Sequence, residues 1–337
     1  MIYRPLGHSG LQVSALTLGS MMFGEQTSTE DALRIIDKAW DQGINFIDTA
    51  DVYNAGRAEE IVGEAVARHR HDWIVASKVG FGPADGLPNR SGLSRKHIFN
   101  ALDATLTRMD MDYLDIYYLH REDHKVPLEE TVQAIGDLLR QGKIRYWGVS
   151  NFRGWRIAEA CHIAERLGVP RPVVSQPLYN IVNRQAEPEQ LTAAAAHGLG
   201  VVPFSPLARG VLSGKYAPGA VPDAGSRAGR QDKRIMEVEW RQESLAIARQ
   251  IQAYVEAKGV GIVEFAIALG TEQSAGQFGD CRAADRRTVG IPMAGRWRLR
   301  LPRRMKRSLI RWSRRGMPRR RGSNDVAHYV SGRLARS

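Results

Sequence analysis

Short apolar runs alternate with longer amphipathic stretches through the first 268 residues, and this repeat constrains the fold more than any other feature of the chain. Runs of strand length fall at Ala15–Phe23, Asn45–Asp48, Trp73–Val79, Tyr113–Leu119, Ile144–Val149, Val173–Gln176 and Val201–Phe204. Helical patterns stand between them at Thr29–Gln42, Arg57–His69, Arg95–Met109, Leu128–Arg140, Gly154–Leu167 and Glu187–His197. Strands and helices repeating at this spacing predict parallel strands joined by right-handed crossovers. Ser28 and Ser94 stand where N-caps belong, and Gly43, Gly142 and Gly168 where C-cap glycines belong. After the seventh run comes a Gly/Pro/Ala-rich loop, Ala208–Arg234, and then one more helix is expected over Ile235–Lys258. The opening Tyr3–Val13 segment, with His8-Ser9-Gly10 as its turn, reads as a β-hairpin plugging the bottom of the domain.

Seven strands suit an open doubly wound sheet or a barrel. Two observations favour a (β/α)8 TIM barrel. No G-x-G-x-x-G loop follows the first strand. Polar residues stand instead at the C-terminal ends of many different strands, where barrel active sites are built. The second strand ends in Asp48-Thr49-Ala50-Asp51-Val52-Tyr53, the third in Ser77-Lys78 and the fourth in Leu119-His120. The fifth ends in Ser150-Asn151, the sixth in Gln176-Pro177 and the seventh in Phe204-Ser205-Pro206-Leu207. An Asp, a Tyr, a Lys and a His thus converge on one rim.

In this order and spacing the motifs resemble the aldo-keto reductases across residues 1–268, in a bacterial branch like the potassium-channel β-subunits. The resemblance implies a catalytic tetrad of Asp48, Tyr53, Lys78 and His120, and an NAD(P)H-dependent reduction of aldehydes or ketones. The residue types suit that chemistry. Hydride transfer to a carbonyl leaves a developing alkoxide that needs a proton and an electrostatic clamp. Tyrosine is a poor acid at neutral pH, and an adjacent cation favours its phenolate. Lys78 can supply that cation, Asp48 can hold Lys78, and His120 can orient the carbonyl oxygen. The resemblance also implies a cofactor groove, with NADPH expected over NADH. Ser150, Asn151 and Gln176 would bond the carboxamide beside Asp48, and Phe204 would stack on the ring. Ser205, Leu207, Gly210 and Lys215 would hold the pyrophosphate, and Gly19, Ser20 and Met21 would approach the ribose. The expected partner is a small carbonyl substrate, with no metal. A second function stays open within the same family: a cofactor-sensing regulatory subunit with little turnover, as the potassium-channel β-subunits are.

Charge divides the chain at the same place. Residues 270–337 hold 18 Lys/Arg and 4 Asp/Glu, leaving 30 basic and 32 acidic residues for 1–269. A basic tail of this kind invites a nucleic-acid or membrane reading, but its aromatics are scattered, and neither partner is expected. The tail instead reads as a translation out of frame. With permitted codons, Leu269–Ile291 read one nucleotide later can spell the helix, strand and Gly-Pro-Arg segment that the family would show. Met293–Gly322 read two nucleotides later is again family-like, and from Asn324 the original frame resumes. The expected organisation is therefore a barrel over 1–268 and an aberrant Arg-rich segment over 269–337, which leaves the eighth strand and last helices in question. Without an N-terminal signal pattern or a long apolar run, and with two cysteines, Cys161 and Cys281, expected to be inert thiols, a cytoplasmic location is expected.

Overall fold

A computed structural model describes residues 1–83, 85–273 and 279–282. The chain opens with an antiparallel hairpin of β1 (Tyr3–Pro5) and β2 (Gln12–Ser14). The barrel units follow as β3 (Leu16–Gly19) with α1 (Thr29–Asp41), β4 (Phe46–Asp48) with α2 (Arg57–Val66), and β5 (Ile74–Val79) with α3 (Arg95–Met109). Next come β6 (Leu114–Leu119) with α4 (Leu128–Arg140), β7 (Ile144–Ser150) with α5 (Gly154–Arg166), and β8 (Val174–Gln176) with α6 (Thr192–Ala196). β9 (Gly200–Val201) is followed by a long loop, then α7 (Lys233–Val238), α8 (Gln242–Glu256) and α9 (Ile262–Gln273). Strands β3 to β9 pair in sequence order, each parallel to the next. This curled parallel α/β sheet is the expected TIM-barrel-type architecture.

Local signals fix the helices as expected. Ser28 Oγ accepts from the Asp31 amide at 3.1 Å, and Ser94 Oγ from the His97 amide at 3.3 Å. Gly43, Gly142 and Gly168 all take positive φ, the conformation that ends a helix at least strain in a residue without Cβ. In α1 the residues Ala32, Ile35, Ile36 and Ala39 are buried, the spacing of one helix face.

Side chains alternate across the strands. One set, with Phe46, Ala76, Ile116, Tyr118, Val174 and Val202, fills the inside of the sheet together with Leu6 and Val13 of the hairpin. The opposite set, including Ile47, Val75, Tyr117, Trp147 and Val149, packs against the helices. The hairpin is thus a plug, and Gly7 shows why it fits. Gly7 has φ of +56°, and a Cβ there would stand 2.5 Å from the Gly198 carbonyl oxygen and the Gly200 amide nitrogen. That contact seats the hairpin against the N-terminal ends of β8 and β9. Gly63 plays a similar part between helices, since its Cβ would lie 2.3 Å from the carbonyl oxygen of Met109. Gly63→Ala is expected to force α2 from the end of α3 and to destabilise the chain by about 1–3 kcal/mol. Urea unfolding reads this directly, and an unchanged midpoint would mean that the two helices slide apart freely.

Three elements depart from the sequence reading. The helix expected over Ile235–Lys258 is two helices, broken at Glu239-Trp240-Arg241. Glu239 is buried there and accepts from Asn180 Nδ2 at 3.2 Å, a bond that draws the backbone out of helical continuity. The Glu187–His197 helix opens with a wide π turn over Glu187–Leu191 before α6. Finally, β10 (Gly279–Arg282) lies parallel to β3, in register from Gly279↔Leu16 to Arg282↔Gly19. An eighth strand therefore stands where the sequence left one in question. Strand pairing is made by backbone groups, and the outer edge of β3 offers a row of them to any extended segment. The expectations for the remainder of 269–337 fall outside the described residues. No described helix is long and apolar enough to cross a membrane.

Candidate active site

Five consecutive strands deliver polar side chains to one rim. Asp48 ends β4, Lys78 is next to last in β5, His120 follows β6, Ser150 ends β7 and Gln176 ends β8. Tyr53 comes from the connection after β4. A turn brings it back, with the Tyr53 amide donating to the Ala50 carbonyl at 3.0 Å. Asn54, Ala55 and Gly56 then take φ of 50°, 54° and 93°. Asn54 anchors this left-handed stretch, donating through Nδ2 to the carbonyls of Phe23 at 2.6 Å and Met21 at 3.3 Å. Asparagine tolerates that conformation and alanine does so only at a cost, so the turn holds Tyr53 by compensation from its neighbours.

Lys78 is the centre of the cluster. Its Nζ donates to Asp48 Oδ2 at 2.5 Å, to the Thr49 carbonyl at 2.6 Å and to the Tyr53 hydroxyl at 3.3 Å. The Lys78 and Asp48 side chains are 0% and 1% exposed. The second carboxylate oxygen of Asp48 accepts from Gln176 Nε2 at 3.0 Å. A buried ammonium is thus held between a carboxylate and a phenol, with its other donor used on backbone. The Tyr53 and His120 rings meet edge to face at 6.0 Å. All four tetrad residues read from the sequence come together.

The expected cofactor residues form two groups. In the first, Ser150 Oγ donates to the Gln176 carbonyl at 2.9 Å, and Asn151 Nδ2 to the His120 carbonyl at 2.9 Å and Ser150 Oγ at 3.1 Å. This network ties the ends of β6, β7 and β8 beside the tetrad. Ser20 adjoins it, its amide donating to the Asp48 carbonyl at 2.9 Å, which sets Gly19 and Met21 at the mouth of β3. In the second group, Phe204 donates its amide to the Pro177 carbonyl at 3.0 Å, and Ser205 has φ of 59°. Leu207 opens a set of tight turns in which Gly210 has φ of 107°. The φ of Gly210 is one that glycine adopts freely, and Lys215 lies beside this turn, its Cε 3.4 Å from where a Gly210 Cβ would stand. Asn180 Nδ2 bridges the Ser205 carbonyl at 3.1 Å to Glu239, linking this loop to the end of α7. Burial pushes the Glu239 carboxyl above its usual range, against the pull of Arg209 and Asn180.

Further side chains stand at the rim outside the tetrad and the expected groove. Phe81, two positions after the β5 strand, meets His120 edge to face at 4.8 Å, and Arg121 lies over the Phe81 ring at 4.5 Å. Only their position in the loops after β5 and β6 could have pointed to them. Asp51 lies in the turn before Tyr53, with its Oδ1 buried, and burial, reinforced by Glu59, pushes its carboxyl up to about 8. His124 Nε2 lies 2.9 Å from Glu122 Oε2 in the loop after β6.

The curled parallel sheet and the buried cluster on its C-terminal rim define an α/β barrel protein with a polar site at the mouth. A model of the Aldo/keto reductase family matches residues 15–294, and the chain belongs to that family. The match runs past Ala268, where the motif-by-motif likeness read from the sequence ended. Among curated proteins the chain is similar to a "Probable voltage-gated potassium channel subunit beta" of Arabidopsis thaliana, 40% identical over 273 residues, covering 80% of this chain and 83% of the relative. A protein of the same description from Oryza sativa subsp. japonica is also 40% identical over the same shares. A "Putative voltage-gated potassium channel subunit beta" of Schizosaccharomyces pombe is 41% identical over 231 residues, 67% of each chain.

Proposed function

We propose that this chain reduces aldehydes or ketones to alcohols with a nicotinamide cofactor, NADPH rather than NADH, and that Asp48, Tyr53, Lys78 and His120 are its catalytic residues. One observation carries the reading: the fully buried Lys78 ammonium, 2.5 Å from Asp48 and 3.3 Å from the Tyr53 hydroxyl, on the rim where barrel chemistry is done.

The residues present fit a dinucleotide. Lys215 is a cation beside the left-handed turn at Gly210, suited to phosphate. Ser20 Oγ is buried with no hydrogen-bond partner among the described residues, an acceptor or donor waiting beside Asp48. Ser150, Asn151 and Gln176 would hold the carboxamide, Phe204 the ring, and Ser205, Leu207, Gly210 and Lys215 the pyrophosphate, with Gly19, Ser20 and Met21 toward the ribose. When bound, the nicotinamide supplies the hydride. The chain does the rest. His120 orients the carbonyl oxygen by a hydrogen bond, and Tyr53 gives that oxygen its proton as the alkoxide develops. Lys78 stabilises the phenolate that remains, and Asp48, itself braced by Gln176, keeps the ammonium in place. The reverse steps oxidise an alcohol.

The names of the relatives favour a second reading, a cofactor-binding subunit with little turnover. Purified chain titrated with NADPH and NADH, then mixed with a generic aldehyde such as 4-nitrobenzaldehyde, separates the two. Absorbance loss at the nicotinamide band that saturates with aldehyde supports the reductase. Tight NADPH binding without turnover supports the sensor, and absence of binding overturns both.

A further inference from the structure

The loops after β5 and β6 build a feature at the mouth that the proposed chemistry does not use. They stand across the rim from the residues assigned to the cofactor's phosphates, since β7 and β8 separate β6 from β9. The loop after β5 is held at three points. His97 of α3, itself buried, hydrogen-bonds the Phe81 backbone. Arg121 Nε donates to the Gly80 carbonyl at 3.1 Å, and the Leu93 amide donates to Asp123 Oδ2 at 2.8 Å. Held in this way, the Phe81 ring meets His120 edge to face at 4.8 Å. The Arg121 guanidinium lies over the same ring, 4.5 Å from its centre. One aromatic ring thus links the guanidinium to the imidazole that orients the carbonyl. Phe81 and Arg121 are both partly exposed, so a molecule at the mouth can reach them.

Arg121 differs from an ordinary surface arginine in what its contacts leave over. Nε is used on backbone and the flat face is used on Phe81, so the orientation of the guanidinium is set before anything binds. The outer edge, Nη1 and Nη2, has no protein partner among the described residues. The carboxylates nearest in sequence are committed elsewhere. Glu122 Oε1 accepts from the Arg153 amide at 2.5 Å, and its Oε2 lies 2.9 Å from His124 Nε2. Asp123 gives Oδ2 to Leu93 and Oδ1 to the Lys125 amide at 2.9 Å. A guanidinium edge is planar and permanently charged, and its two parallel N–H donors match the two oxygens of a carboxylate.

We infer that Arg121 is a specificity-determining residue that selects carbonyl substrates bearing a carboxylate, with the acid on the outer guanidinium edge and the carbon spacer lying along Phe81. The inference rests on the reductase reading, because the carbonyl at the other end of the substrate is placed by His120 and Tyr53. The cofactor's phosphates are assigned to the loop after β9, so the anion that reaches Arg121 belongs to the substrate. The spacer is about as long as the ring it lies beside, which suits an aryl aldehyde with its acid in the para position or a short aliphatic semialdehyde.

4-Carboxybenzaldehyde and 4-nitrobenzaldehyde test this, because they are close in shape and differ in charge. Arg121→Met should lower the ratio of kcat/KM for the acid to kcat/KM for the nitro compound on the order of 10-fold, mainly through the KM of the acid. In wild type, raising the ionic strength from about 0.05 M to about 0.5 M should raise the KM of the acid more than that of the nitro compound. That measurement needs no variant, and it carries the test should Arg121→Met not fold. Equal losses for both aldehydes would make Arg121 a prop for Phe81 alone and overturn the inference, as would an acid KM indifferent to salt and substitution. A loss of NADPH affinity in Arg121→Met would hand the guanidinium to a cofactor phosphate and overturn it as well. Titration of the NADP⁺-loaded chain with the two aldehydes, where no hydride is available, separates this inference from the reading beneath it. Preference for the acid that is lost in Arg121→Met, in a chain that reduces neither aldehyde with NADPH, overturns the reductase reading and leaves Arg121 as a carboxylate-binding residue.

Discussion

Tyr53→Phe is expected to lower kcat for aldehyde reduction by about 10²–10⁴-fold, the range over which a positioned proton donor contributes, with NADPH affinity unchanged. The substitution removes one hydroxyl and little else. Tyr53 is 6% exposed, so its ring is a packing element as well as an acid. The Lys78 ammonium lies 4.9 Å from the ring centroid and the His120 ring meets it edge to face, contacts that phenylalanine retains. None of the residues assigned to the cofactor takes a hydrogen bond from the Tyr53 hydroxyl, so the groove is left as it was. Lys78 loses its 3.3 Å partner but keeps Asp48 and the Thr49 carbonyl. Steady-state rates with 4-nitrobenzaldehyde, beside a fluorescence titration with NADPH, separate chemistry from binding. Turnover retained within a few fold would move the proton donor elsewhere, with His120 the next candidate by position.

Much of this site was legible because it is written at strand ends. A barrel strand that terminates in Ser77-Lys78 must send one of the pair to the rim, and strand alternation does the rest. The same rule that made Lys78 readable hid the cluster on the other face of its strand. Ser77 donates to Glu59, which Arg108 holds in turn. These residues come from a strand and two helices 49 residues apart at the extremes, and no local spacing announces that they meet. Helix ends were readable where a side chain caps them, as at Ser28 and Ser94. They were misread where a distant partner overrides local pattern, as at Glu239, where the bond from Asn180 interrupts an otherwise continuous helical periodicity. The β10 pairing was unreadable for another reason. Its register with β3 is made by backbone groups, and Gly279-Asp280-Cys281-Arg282 carries none of the apolar pattern that marks a buried barrel strand.

The largest expected effect on stability belongs to Lys78. Asp48 has two partners, and they differ in kind: the Lys78 ammonium balances its charge, while Gln176 contributes a dipole. Lys78→Met leaves the carboxylate in a site that is 1% exposed with the amide alone. Removing one partner of a buried ion pair destabilises by about 3–5 kcal/mol, because the remaining charge stays desolvated. That loss is expected here in urea or thermal unfolding. Pairing the change with Asp48→Asn removes the stranded charge, and the double variant should recover most of the lost stability, since a neutral isostere of a buried pair is often nearly neutral in its effect. Activity should follow a different course. The double variant folds without an ammonium beside Tyr53, so its turnover should remain as low as that of Lys78→Met. Recovery of both stability and turnover in the double variant would mean that Lys78 serves the fold alone, and the proton chemistry assigned to this rim would fall with it.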